Sequence, residues 1–279
     1  MADHRKPAIV SIIIPIRNSA AFLEACCNSV IDQTYIHWEA ILIDDNSNDA
    51  SAEIAAHFVS IDSRFRLIAS GRLQGDSAGP WLPRNQGLRT AQGEYVAFLD
   101  ADDLWLRDKL NGQMKLLEQG GYDLCVCSYF RFSDKTGWII ERREPPAKYW
   151  SILLKFINPI PLSTVVIRRE LMRDGFRAVS HEDHDAWQRL FATRKIRYAS
   201  CKKALAAYRI HPQSLTGTWR RKLTMRQAQQ QDCTAARGVV KWLLFLLLQS
   251  LYLLRALPWR LQRRTIEMPG FRKASHASH

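Results

Sequence analysis

The chain reads as an α/β protein built on a mostly parallel sheet flanked by helices, on three observations. Short β-branched and aromatic runs alternate with segments whose apolar residues recur at helical spacing. The strand-like runs are almost continuously apolar, as in strands covered on both faces. Two of those runs end in clustered carboxylates, at the position where an open parallel sheet presents its ligand crevice.

Taken in order, Ile9 to Ile14 is a β-branched run that stops at Pro15, a first strand. Phe22, Leu23, Cys26, Cys27 and Val30 mark a helix over Ala20 to Gln33. Trp38 to Ile43 is a second strand, ending in Asp44 and Asp45. The alternation continues with a helix over Ser51 to Val59, a strand over Arg66 to Ala69, a helix over Arg84 to Ala91, and a strand over Tyr95 to Leu99 that meets Asp100. A helix is expected over Leu104 to Leu117, with Asp103 as the turn or cap residue before it. Residues 161 to 172, PLSTVVIRRELM, read as a strand and then a helix. A further helix opens at Glu182 and is packed down by a stripe of Trp187, Leu190 and Phe191, unless Trp187 presents its ring to a ligand.

With 279 residues and 47% hydrophobic content, the chain can fill a real core, which excludes a disordered protein. Its six cysteines form no C-x-x-C pair, and the start MADHRKPAIVSIIIP lacks a cleavage-like small-residue site. The expectation is a chain without a signal peptide in a reduced, cytoplasmic compartment. Charge is divided unevenly. Residues 1 to 193 hold 22 Lys+Arg against 25 Asp+Glu, whereas residues 194 to 279 hold 18 against 2. A near-neutral body therefore carries a strongly basic tail, which suits a polyanion.

Within that tail, Val239 to Leu254 contains only Lys241, Gln249 and Ser250 as polar residues. As a helix it would span roughly 24 Å, short of a hydrocarbon core of about 30 Å. Lys241, Gln249 and Arg255 cluster on one side of a helical wheel, the pattern of an in-plane helix on an anionic membrane surface. The alternative is a buried or oligomer-forming helix. Nucleic acid is not expected as a partner, because the apolar block outweighs any interleaving of basic and aromatic residues.

The Asp100-Ala101-Asp102 spacing aims two carboxylates to one side of an extended segment. Such a pair is repulsive unless a hard cation sits between them, and that cation would typically bridge to phosphate oxygens. Asp44 and Asp45, at the end of the second strand, could converge on the same crevice or could simply cap the next helix, as could Asn46, Ser47 or Asp49.

Together the segments VSIIIPIRN, ILIDDNSND, GPWLPRNQGL and YVAFLDADD resemble the inverting family 2 glycosyltransferases, which have the A-type nucleotide-sugar fold (GT-A), over about residues 8 to 215. The resemblance implies a donor site in which Pro15 and Arg17 lie beside the nucleotide and Asp44 and Asp45 contact base and ribose. It implies that Arg84 and Asn85 close on the donor, and that Asp100 and Asp102 form the D-x-D motif for Mg²⁺ or Mn²⁺, Asp102 being the direct ligand. Two departures stand out. Asn46 replaces a usual glycine, which its tolerance of left-handed backbone permits, and Trp81, Leu82 and Pro83 replace small residues, which could alter donor choice.

By the same resemblance GFRAVSHEDHDAWQRLF supplies the acceptor side, with Asp183 as catalytic base. Inversion needs one base to take the hydroxyl proton as the new bond forms, and a carboxylate at a helix start is held ionised by backbone N–H groups. The competing account is capping, since Ser180 to Asp183 has the S-x-x-D form and Asp185 can pair with Arg189. In YRIHPQSLT, His211 is a third metal ligand or a diphosphate contact, and Arg209 or Ser214 could meet phosphates.

The resulting expectation is a GT-A domain over residues 1 to 215, with a nucleotide half at about 8 to 105 and an acceptor half at about 106 to 215. A basic membrane-associating helical region follows at 216 to 264, and a tail at 265 to 279. The partners expected are a nucleotide-sugar donor, a saccharide or lipid-linked acceptor and an anionic membrane surface, on the inner face of the cell membrane. The rivals are an inactive membrane-associated scaffold of the same fold and a nucleotidyltransferase, although the first strand is followed by no glycine-rich phosphate loop.

Overall fold

The computed structural model describes residues 7–73, 79–146, 154 and 158–212. The basic region from 216 to 264, its apolar block, the final tail and Ser214 lie outside the described residues.

Strand β1 (Val10–Ile16) leads through α1 (Ala20–Ile31) to β2 (Trp38–Asp44), then through α2 (Ser51–Ile61) to β3 (Phe65–Ala69) and through α3 (Trp81–Thr90) to β4 (Tyr95–Phe98). All three pairings among these strands are parallel, in the order β3-β2-β1-β4. Alternation along β1 divides the core. Ile12 and Ile14 join Leu23, Cys26 and Trp38 on one face, while Ile13 joins Ile41, Ile43 and Phe98 on the other. Helix α3 lies close on the second face because Gly87 has no side chain there. A Cβ at that position would stand 2.6 Å from Ile13 Cγ2. Pro83 is accommodated in the first turn of α3, where its missing N–H costs no helical bond.

The second half adds β5 (Leu104–Trp105), α4 (Lys109–Gly120), β6 (Leu124–Ser133), β7 (Ile139–Arg143), β8 (Val165–Arg168), α5 (Glu182–Thr193) and β9 (Tyr198–Ile210), continuing the sheet as β4-β8-β6-β9-β5 with β7 on β6. Strand β8 is antiparallel to both β4 and β6. Consequently β6, and β9 parallel to it, run in the same direction as β1 to β4. The carboxyl ends of all these strands therefore share one edge of a single mixed sheet.

Two expected elements differ. Residues 104 to 117 are not one helix: Leu104 and Trp105 form an edge strand on Ala207 and Ala206, and the helix begins only at Lys109. Pairing with β9 satisfies backbone groups that a helix start would leave open. After β8, the expected helix is a single 3-10 turn, Arg169–Met172.

The five described cysteines are buried and unbridged. Burial pushes Cys27, Cys125 and Cys127 up to about 12. Among the described residues no helix is long and apolar enough to cross a membrane.

Candidate active site

The chain leaves β1 and β2 through two asparagines in left-handed conformation, Asn18 (φ 49°) and Asn46 (φ 57°), which turn it sharply at the carboxyl edge. Pro15 sits half-buried one residue before the end of β1. Asp45 is buried, and its Oδ1 accepts a hydrogen bond from Arg72 Nε at 2.7 Å while Arg17 Nη1 lies 3.6 Å from Oδ2. Arg72 also donates to the Gly79 carbonyl, tying the approach of α3 to the end of β2. Asp44 Oδ1 accepts from the Ser47 N–H at 3.3 Å. Neither aspartate caps α2, whose N-cap is Ala50 with no side-chain cap; Asp49 accepts from the Ser51 and Ala20 N–H groups, the first residues of α2 and α1.

At the end of β4, Asp100, Asp102 and Asp103 crowd into one turn. Asp100 Oδ1 accepts from Arg84 Nη2 at 2.6 Å. Asp102 Oδ2 lies 2.9 Å from His211 Nε2, so residues 109 apart in sequence meet at this turn. The imidazole also packs at a tilt against Phe22, with ring centroids 4.5 Å apart and planes at 44°. Asp103 does not serve as a helix cap: it is 1% exposed, accepts from Ser163 Oγ at 2.6 Å and receives the Arg209 N–H. Burial, then repulsion from the neighbouring aspartates, holds Asp103 well above the ordinary carboxylate range and raises Asp102 despite its histidine.

Arg209, expected as a possible phosphate contact, is committed elsewhere. Its buried guanidinium lies between the Phe22 and Phe132 rings, donates from Nε to the Asp102 carbonyl and from Nη1 to Asp134. It holds the aspartate turn in place instead of reaching into the crevice.

Asp183 occupies the first turn of α5. Its Oδ2 accepts from Asn158 Nδ2 at 2.7 Å and its Oδ1 from the His184 N–H at 2.8 Å, leaving a fixed, charge-assisted carboxylate. The residue at the N-cap is His181, with no side-chain cap, so the S-x-x-D pattern is not used as a capping box. The pair Asp185–Arg189 does form, at 2.8 Å. Trp187 is fully buried with its Nε1 on the Ile160 carbonyl, and so it packs the helix and does not border a sugar.

Arg84 unites the two halves. Its buried guanidinium contacts Glu182 through Nη1 and Asp100 through Nη2. Burial alone would lower its pKa, but the two carboxylates raise it above the ordinary value. Burial in turn pushes Glu182 up, against the pull of Arg84. Asn85, which the resemblance implies closes on the donor with Arg84, is bound to the GF loop: its Oδ1 accepts from the Phe176 N–H and its Nδ2 donates to the Phe176 carbonyl, both at 2.8 Å. It thus fastens the GF loop like a rung of sheet.

Glu182, Asn158, Arg72 and Ser163 were not legible as site residues. Glu182 stands next to Asp183, and so it alone of the four had a local signal. Asn158, Arg72 and Ser163 had none, since only folding brings them to their aspartates.

No three His, Cys, Asp or Glu groups among the described residues are arranged as a finished metal site. The residues that could hold a divalent cation are Asp100 and Asp102, each about one-third exposed at the crevice, with His211 Nε2 beside Asp102; carboxylate oxygens and an imidazole nitrogen are a donor set that such an ion accepts. A separate cavity of about 560 Å³ opens beside Leu88, Arg168 and Arg173. It is not formed by these carboxylates and is not the site.

The sheet, with its acidic carboxyl edge facing a helix-borne carboxylate, is that of a GT-A glycosyltransferase. A solved structure of Staphylococcus aureus TarS in complex with UDP-GlcNAc shares the fold at a TM-score of 0.59 and 22% identity, covering 74% of this chain and 59% of that one. The mannosyltransferase PcManGT of Pyrobaculum calidifontis, solved with GDP-Man and Mn²⁺, shares it at 0.62 and 19%, covering 93% and 73%. The chain belongs to glycosyl transferase family 2, whose family model matches residues 11–184. It is 30% identical over 210 residues to an Escherichia coli enzyme, the UDP-Glc:alpha-D-GlcNAc-diphosphoundecaprenol beta-1,3-glucosyltransferase WfgD, covering 75% of this chain and 79% of that one. It is 36% identical over 125 residues to TuaG of Bacillus subtilis, a glycosyltransferase named for teichuronic acid biosynthesis, covering 45% of this chain and only 47% of the relative.

Proposed function

We propose that the chain is a metal-dependent, inverting glycosyltransferase that moves a sugar from a nucleotide diphosphate sugar, with UDP-sugars favoured, to a hydroxyl of a lipid-linked or envelope saccharide. The observation that carries this reading is the Arg84 bridge, which brings the Asp100–Asp102 turn and the Asp183 helix start to one crevice. A donor diphosphate would lie over the aspartate turn, with the base near Asp44 and Asp45 and with Arg17 beside it. Mg²⁺ or Mn²⁺ held by Asp100, Asp102 and His211 would neutralise charge on the departing diphosphate. Asp183 would take the proton of the acceptor hydroxyl as that oxygen attacks the anomeric carbon from the opposite face. Asn158 and the His184 N–H keep its carboxylate oriented for that transfer.

WfgD supports the donor and acceptor classes, because its name joins a UDP-sugar to a diphosphoundecaprenol-linked saccharide. The basic, apolar stretch after residue 216 supports an anionic membrane surface as the place of work, on its cytoplasmic side.

The test is nucleotide release from a panel of UDP-, GDP- and dTDP-sugars, with a lipid-linked acceptor present and with Mn²⁺ or EDTA. Release from one donor that needs the metal and is lost in Asp102→Asn is expected. Pyrophosphate release in its place would make the chain a nucleotidyltransferase, and the absence of both donor binding and turnover would make it a scaffold.

A further inference from the structure

We propose that the β6–β7 hairpin is a membrane-docking surface that inserts Trp138 and Ile140 among anionic lipid headgroups beside the active site. Residues two apart on a strand share a face. Trp138 and Ile140 lie on the outward side, both 47% exposed, whereas Ile139 and Glu141 between and after them are buried. No other tryptophan among the described residues is exposed to this degree. A tryptophan at the tip of a hairpin suits the headgroup zone, where its ring is apolar and its N–H stays wet.

Charge at the hairpin points to the same partner. Lys135 is exposed at the tip, and Arg142 follows Ile140 by two positions on the strand. The acids of the hairpin are already matched, Asp134 with Arg209, Glu141 with Arg131 and Arg143, and Glu144 with Arg142. The tip therefore presents a lysine beside an apolar pair.

Position supplies a third argument. The Asp134 N–H donates to the Ile210 carbonyl, so the hairpin tip sits at the catalytic edge, one ion pair through Arg209 from Asp102. The chain from 213 to 279 departs from this same point, after Pro212. Its sequence holds 12 Lys+Arg against 2 Asp+Glu together with the apolar block. The hairpin would thus meet the kind of surface that the composition of this tail suits, and leave the crevice facing a lipid-linked acceptor. The proposal rests on the membrane-borne acceptor argued above, and it adds which face of the folded domain turns toward that membrane.

The experiment uses the full chain and vesicles of phosphatidylcholine with or without phosphatidylglycerol. In a Cys233→Ser background, Thr136→Cys carries an environment-sensitive fluorophore, and spin-labelled lipid serves as quencher. Quenching that requires phosphatidylglycerol is expected, as is at least a fivefold weaker vesicle affinity in Trp138→Ser/Ile140→Ser. A protein that sediments with vesicles while the label stays unquenched, or a double variant that binds as tightly as wild type, would overturn the proposal. Donor turnover measured alongside separates the two readings. Quenching without turnover of any donor removes the enzymatic reading and leaves docking, whereas turnover without quenching does the reverse.

Discussion

Arg84 Nη2 lies 2.6 Å from Asp100 Oδ1, and the other end of the same guanidinium is held by Glu182. A residue of α3 therefore ties the aspartate turn after β4 to the start of α5, 98 positions away in sequence. The cation is 4% exposed, so it is kept in place by these two carboxylates and not by water.

Removing that cation leaves the Glu182 carboxylate buried without its partner. Arg84→Met is expected to cost about 3 kcal/mol, at the lower end of the range for a broken buried pair because Asp100 remains one-third open to solvent. Urea denaturation of the two proteins at pH 7 measures it. A loss below about 1 kcal/mol would mean that the pair is no tighter than a surface salt bridge.

Asp183→Asn keeps the shape of the carboxylate but cannot take a proton. The turnover rate should fall on the order of 10²- to 10⁴-fold, with donor affinity by calorimetry unchanged. Asn158→Ala, which removes only the orienting hydrogen bond, should lower it roughly tenfold. Equal effects of the two substitutions would show that Asp183 serves the structure only.

Asn85→Ala deletes both hydrogen bonds to the Phe176 backbone and should destabilise by about 1–3 kcal/mol. The neighbouring Gly175→Ala strains a φ of +57° and brings its Cβ within 2.5 Å of Asn85 Oδ1. If Asn85 acts by fastening this loop, the cost of Gly175→Ala shrinks when Asn85 is already alanine, which a double-mutant cycle reads directly.

Lys109 is fully buried over the Trp105 ring, and its ammonium has no hydrogen-bond partner among the described residues. Burial lowers its pKa from 10.5 to about 8. The unfolded chain thus binds more protons than the folded one between these values, and this group's contribution to stability rises with pH across that window. Lys109→Met should be more stable than wild type at pH 7 by up to about 3 kcal/mol. The advantage should vanish as pH climbs from about 8 to 10.5. The difference between the two proteins is the quantity to follow, because the buried thiols titrate in the opposite sense above pH 9. A difference that stayed constant over the window would show that Lys109 is not neutralised by folding.

The first half of the fold was legible because its strands are buried on both faces and end in carboxylates, so that apolar runs and their punctuation coincide. The strand at Leu104 and Trp105 was not, since two residues carry no period and their identity as a strand comes from β9, a hundred residues later. The same limit applies to the site. Asp100, Asp102 and His211 could be named from local motifs, and the structure brings Asp102 and His211 together. Arg209 shares a motif with His211, and the motif offers it or Ser214 to phosphates, because nothing local shows that Phe22, Phe132 and Asp134 enclose its guanidinium. Nor does anything local show that Asn85 fastens a loop 90 residues downstream.

Strand β8 has a consequence for building chimaeras from relatives of this chain. It comes late in the sequence yet lies between β4 and β6, through the pairs Tyr95–Arg168, Val96–Ile167 and Ala97–Val166. A nucleotide half transplanted from another member would bring a foreign β4 against this chain's β8. Three rungs, and the fit of Val96 and Ile167 on one face, would therefore decide whether a hybrid folds before its donor preference could be measured.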